Sequence, residues 1–125
     1  MNPSKTSEAP SLSVILLMYN EAPAIVATLI ETLEFLNSCA VDFEILVVDD
    51  GSIDDGPRLA RQFAAGHPDI RVISHQKNLG MGAGMTTGIA NARMEYLVFN
   101  AVDGQIPACE IGRMLPLLKD ADIVL

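Results

Sequence analysis

Two short runs of almost unbroken apolar residues, SVILLM at 13–18 and FEILVV at 43–48, constrain the fold of this chain more than any other feature. A strand with one solvated face alternates apolar and polar side chains, whereas a strand apolar at nearly every position is covered on both faces. Between the two runs, Pro23 suits the first turn of a helix, and Ile25, Leu29, Leu33 and Leu36 recur at steps of three and four. That spacing predicts an amphipathic helix ending near Ser38. After the second run, DDGSIDDGP reads as a turn in which Asp54 or Asp55 caps a helix with Pro57 in its first turn. Leu59 and Phe63 give that helix an inner face, and Gly66 with Pro68 ends it.

The alternation continues along the chain. IRVIS (70–74) is a third strand, NLGMGAGMTTGIANA leads into or forms a third helix, and YLVF (96–99) is a fourth strand. Pro107 starts a last helix that Pro116 bends or ends, and DIVL (122–125) begins a fifth strand. The order predicts an α/β fold: a doubly wound, mostly parallel sheet with right-handed crossovers and helices on both faces. Residues 1–11 are polar, contain proline and show no period, so they read as a flexible leader. Residues 12–125 form one domain whose pattern stops on a strand, as in a domain incomplete at its carboxyl end.

Eight basic against sixteen acidic residues give a net charge of -8, which disfavours nucleic acid and anionic membrane surfaces as partners. A phosphate-bearing ligand would need a cation or backbone N–H groups to neutralise it. Cys39 and Cys109 lack CxxC spacing and fit buried thiols in a reducing compartment. The apolar run before Asn20 is too short to span a membrane, so the expected location is the cytoplasm, or the cytoplasmic face of a membrane reached through other regions or a partner.

Unusual polar residues gather just past the strand ends: Tyr19-Asn20-Glu21, Asp49-Asp50-Gly51-Ser52, His75 to Gly80, and Asp103-Gly104-Gln105. In an open α/β sheet the carboxyl ends of the strands form the ligand crevice, so four separate segments are expected to converge there. The glycines at 80, 82 and 84 fail the dinucleotide spacing, and no Walker lysine pair follows. Gly84 and Gly88 fit close packing of a helix on the sheet. His67 reads as a solvated turn residue, His75 as a residue able to touch a ligand, and the methionines as core filler. Ser52 has no histidine partner for nucleophilic catalysis.

Together, VILLMYNEAPAI, ILVVDDGSIDDG, NLGMGAGMTTGIANA and VFNAVDGQIP resemble, in order and spacing, the family 2 glycosyltransferases of the GT-A fold, from about Leu12 onward. The DGQ form is most similar to the branch that moves sugars onto polyprenyl phosphates. The resemblance implies a UDP- or GDP-sugar donor, with Tyr19 and Glu21 at base and ribose and Asp50, beside Val48, reading the base. Asn78 and Gly80 join the nucleotide-binding candidates. It also implies a Mg2+ or Mn2+ ion held by Asp103 and Gln105, with Ala101 where relatives carry a further acid and Leu17 where they commonly carry proline. No general base is visible, but an ionised lipid phosphate acceptor needs none. The alternatives are a nucleotide-sugar-binding module without turnover and, remotely, a phosphoreceiver domain. A phosphoreceiver would carry its acidic pair after the first strand and a lysine on a late strand, and this chain does neither.

Overall fold

The computed structural model describes residues 11–39 and 41–102 and the backbone of 123–124. Its elements run β1 (Leu12–Met18), α1 (Ala22–Ser38), β2 (Phe43–Asp49), α2 (Gly56–Ala64), β3 (Ile70–Ser74), α3 (Met81–Asn91), β4 (Tyr96–Ala101) and β5 (Ile123–Val124). The strands form one sheet in the order β3-β2-β1-β4-β5, and every pairing is parallel. The expected doubly wound architecture is present. The helix expected from Pro107 lies outside the described residues.

Why the apolar runs have no alternation is visible in β1. Val14, Leu16 and Met18 point into a core shared with Ile25, Leu29 and Leu36 of α1 and Ala60 of α2. Ile15 points the other way, into a second cluster with Leu46 and Val48 of β2 and the partly buried Leu17 and Phe99. Each residue class of period two therefore has its own helical cover. The chain steps from β1 to β2 to β3 in one direction and returns to the far side of β1 through α3. Right-handed crossovers then put α1 and α2 on one face and α3 on the other.

Packing α3 against the second face explains its glycines. A Cβ added at Gly84 would lie 3.2 Å from Leu17 Cδ2, and one at Gly88 only 2.8 Å from Ile15 Cγ2. These glycines, one helical turn apart, let the helix axis sit close over β1, as their sequence context suggested. The Pro23 and Pro57 helix starts also hold, since both prolines stand in the first turns of their helices. The ends differ slightly: α2 stops at Ala64, two residues before Gly66, and β4 runs on through Asn100 and Ala101. Among the described residues no helix is long and apolar enough to cross a membrane.

Candidate functional site

The loops past the ends of β1 and β2 are stitched together by their own polar side chains. Asn20 sits at a left-handed φ of 53°, which asparagine tolerates. Its N–H donates to Ser52 Oγ at 2.8 Å, and its Oδ1 accepts from the Ile53 N–H at 2.9 Å. Asp49, the buried last residue of β2, accepts the Ser52 N–H at 2.9 Å and so fixes the turn. Asp54 is shared between two helices: Oδ2 accepts the N–H of Ala22, at the start of α1, and Oδ1 that of Gly56, at the start of α2. Asp55 holds the cap position of α2, but its side chain makes no cap bond and pairs only with exposed Arg58; Asp54, one residue earlier, accepts the first N–H of both helices instead.

The third loop closes onto the second through Gly51 and Asp50. Gly51 has φ +74°, and a Cβ there would lie 2.4 Å from the Lys77 carbonyl carbon and 2.6 Å from the Asn78 nitrogen. Only a residue without a side chain allows this approach. Asp50 then gathers the loop: Oδ1 accepts from His75 Nδ1 at 2.8 Å and from the Leu79 N–H at 2.8 Å, and Oδ2 accepts the Gly80 N–H at 2.9 Å. Burial alone would raise the Asp50 pKa, but the bonds from Leu79, His75 and Gly80 outweigh it and hold the carboxyl below its ordinary value. An ionised carboxylate only accepts, so His75 carries its proton on Nδ1. The second ring nitrogen lies 2.7 Å from Thr87 Oγ1 of α3. His75 is therefore a brace between β2 and α3, with both nitrogens occupied.

These loops frame a cavity of about 270 Å³ at the carboxyl ends of β2, β1 and β4, where the strand order reverses. Leu17, Met18, Val48 and Ala101 form its floor and walls from the strands, and Tyr19, Asp50, Asn78, Gly80, Met81 and Gly84 complete it. Of the nucleotide-binding candidates, Tyr19, Val48, Asp50, Asn78 and Gly80 share this cavity; Glu21 does not line it, and its carbonyl instead accepts the first bonds of α1. Tyr19 is 45% exposed. Among the described residues no side chain caps the amino end of α3. The metal candidates Asp103 and Gln105 lie outside the described residues. Val102, the residue before Asp103 in sequence, is buried, and its N–H donates to the Leu17 carbonyl. Among the described residues no three acidic, histidine or cysteine side chains gather as a metal-ligand set. His67 is less solvated than expected, because its ring stacks on Phe63 at 4.5 Å.

A second polar cluster, at the opposite pole of the sheet, was not anticipated. Glu44, buried inside the apolar run of β2, accepts from Ser13 Oγ at 2.6 Å and from the Arg93 N–H at 2.7 Å, and pairs with Arg71 at 2.7 Å. Arg71 also donates to the Asn91 carbonyl at the carboxyl end of α3. Burial pushes the Glu44 pKa up, and the bonds from Ser13, Arg93 and Arg71 more than reverse it. The available signal was a polar residue at the second position of each of β1, β2 and β3. This cluster clamps α3 to the sheet at the end away from the cavity.

Comparison with known proteins adds to this geometry. The sequence profile described as Glycosyl transferase family 2 matches residues 13–125. A dolichyl-phosphate beta-glucosyltransferase of Trichomonas vaginalis is 33% identical over 81% of this chain, and the mouse dolichyl-phosphate beta-glucosyltransferase is 28% identical over 91%. The chain spans about a third of the length of such curated relatives. Among solved structures, the mannosyltransferase PcManGT from Pyrobaculum calidifontis, in complex with GDP-Man and Mn2+, superposes with a TM-score of 0.68 at 28% identity, covering 79% of this chain and 29% of its own. S. aureus TarS in complex with UDP-GlcNAc gives 0.68 at 22% identity over 88% of this chain and 31% of its own, a likeness of fold.

Proposed function

The chain belongs to glycosyl transferase family 2, and from that premise we propose that it is the donor-binding part of an enzyme that transfers a sugar from a nucleoside diphosphate to an acceptor. The observation that carries this reading is that Asp50, Tyr19, Asn78 and the first turn of α3 share one cavity at the strand ends. The Tyr19 ring offers a flat apolar surface to a base. Asp50, ionised, accepts a hydrogen bond from a base N–H, and Asn78 supplies an amide. Glu21, two residues after Tyr19 though not itself lining the cavity, is the group assigned to the ribose hydroxyls. The uncapped N–H groups at the start of α3 suit the negative charge of phosphate in a protein that is otherwise acidic.

Asp103 and Gln105 would hold a Mg2+ or Mn2+ ion, since both offer the oxygen ligands these ions prefer and Ala101, two residues before Asp103, lines the cavity. When bound, such an ion neutralises the diphosphate and makes the nucleotide a better leaving group. Mg2+ is commonly held by one or two carboxylates, with phosphate and water completing its shell, so the loss of an acid at position 101 weakens the set without removing it. A polyprenyl phosphate is the proposed acceptor, by analogy with the dolichyl-phosphate relatives. Its phosphate attacks without a general base. A second reading, a nucleotide-sugar-binding module without turnover, is favoured by Ala101 standing in the cavity wall where the family carries an acid.

Thermal melting in millimolar UDP or GDP with Mn2+ tests the site. Binding to the folded state raises Tm by mass action, and Asp50→Ala abolishes the rise. No shift with either nucleotide contradicts the reading. Ala101→Asp separates the two versions: it tightens nucleotide binding with Mn2+ present and leaves it unchanged in chelator, whereas equal tightening in both denies position 101 a metal role.

A further inference from the structure

Asp50 does not present a free carboxylate to the cavity. Its two oxygens offer about four acceptor positions, and the fold has already filled three, two on Oδ1 by His75 Nδ1 and the Leu79 N–H and one on Oδ2 by the Gly80 N–H. One position remains, on Oδ2. We propose that His75, by occupying Oδ1, is the specificity-determining residue of the nucleotide site, restricting it to bases that offer Asp50 a single N–H, and so selects uridine over guanosine. The inference rests on the reading that Asp50 meets the base.

Guanine offers a carboxylate two parallel donors, the ring N1–H and the exocyclic N2–H, and satisfies both only when each oxygen is open. Here the Oδ1 side is shut, because His75 is itself pinned by Thr87 Oγ1 at 2.7 Å and only 9% of its side chain is exposed. The ring therefore cannot swing aside without breaking both of its bonds. A guanine bound on Oδ2 cannot pair both of its donors with Asp50, and the loss of one of two hydrogen bonds to a carboxylate weakens binding by roughly tenfold. Uracil has one ring N–H between two carbonyls. It uses the single open position, and its carbonyls are left to donors such as the Asn78 amide in the same cavity.

The test is a set of dissociation constants for UDP, GDP and inosine diphosphate on the whole 125-residue chain by calorimetric titration. Inosine is guanosine without the N2 amine, so it isolates the second donor. UDP binding about tenfold tighter than GDP, with inosine diphosphate at least as tight as GDP, is the expected order. GDP equal to or tighter than UDP, or tighter than inosine diphosphate, overturns the inference while leaving the nucleotide site standing. Binding of none of the three overturns both. His75→Leu opens Oδ1 and is expected to move GDP ahead of inosine diphosphate, a reversal that general loosening of the fold does not produce; His75→Gln, able to donate to Asp50, restores the original order. If His75→Leu binds and keeps the original order, His75 has no such role. If it fails to fold, the three-nucleotide comparison on the unaltered chain decides alone.

Discussion

Gly51 carries more of the site than its size suggests. Its φ is +74°, and a Cβ added there would lie 2.4 Å from the Lys77 carbonyl carbon, so an alanine must push the 75–80 loop away. The loop is also the source of the donors that hold Asp50, so one methyl group disturbs both the turn and the carboxylate. Gly51→Ala is expected to cost about 2 kcal/mol or more in urea unfolding and to abolish any nucleotide-induced rise in Tm; an alanine variant as stable as the parent contradicts the contact. In the sequence, Gly51 was readable as an Asp-Gly turn, because the dipeptide chemistry is local. That it abuts residues 77 and 78 was not readable, since nothing local encodes a contact between loops more than 20 residues apart. The same limit applies to His75: its place at a strand end was foreseen, but the bonds that turn it from a free ligand group into a brace come from α3 and β2.

At the scale of elements, the helices are tied to the sheet by shared polar anchors at both poles. Asp54 accepts the first N–H of both α1 and α2. Asp54→Ala is therefore expected to destabilise by about 2 kcal/mol, near the upper range for one lost cap because two helix starts are affected. Asp55→Ala, removing only an exposed pair with Arg58, should change stability by less than about 0.5 kcal/mol. Equal effects in a denaturation series would refute the shared Asp54 anchor. At the other pole, Glu44 of β2 binds Ser13 of β1, Arg71 of β3 and the Arg93 N–H just past α3, and Arg71 in turn donates to the Asn91 carbonyl at the end of α3. Its folded pKa lies below the ordinary 4.5, so the folded state binds fewer protons than the unfolded one and the stabilisation is fully present above that value. It is lost as pH falls through the depressed folded value. Glu44→Gln should remove part of the acid-side decline in stability; a profile parallel to the parent below pH 4.5 contradicts this. Element order was legible because apolar runs and helical periods are local signals. Glu44 was not, because an acid inside an apolar run declares its partners only after three strands are aligned.

For the whole molecule, the sequence carried the architecture through its two-faced strands, and the right-handed crossover fixed which helix covers which face. The site was legible as a place, since three of the four polar clusters meet around one cavity. Its internal commitments were not, because they depend on which side chains spend their hydrogen bonds on neighbouring loops. Sugar transfer by this site requires the cavity at the ends of β2, β1 and β4 to receive a nucleotide. Titration of the 15N-labelled chain with UDP, followed through its amide resonances, checks this with the fewest intervening steps. Two of the reporters, Leu79 and Gly80, donate to Asp50, and Gly84 and Ala101 line the cavity. Saturable shifts are expected at these four amides, with little change at Arg93 and Met94, whose N–H groups sit in the Glu44 and Ser13 cluster at the opposite pole. Shifts centred on Arg93 and Met94, or none at millimolar UDP, would contradict nucleotide binding at this cavity.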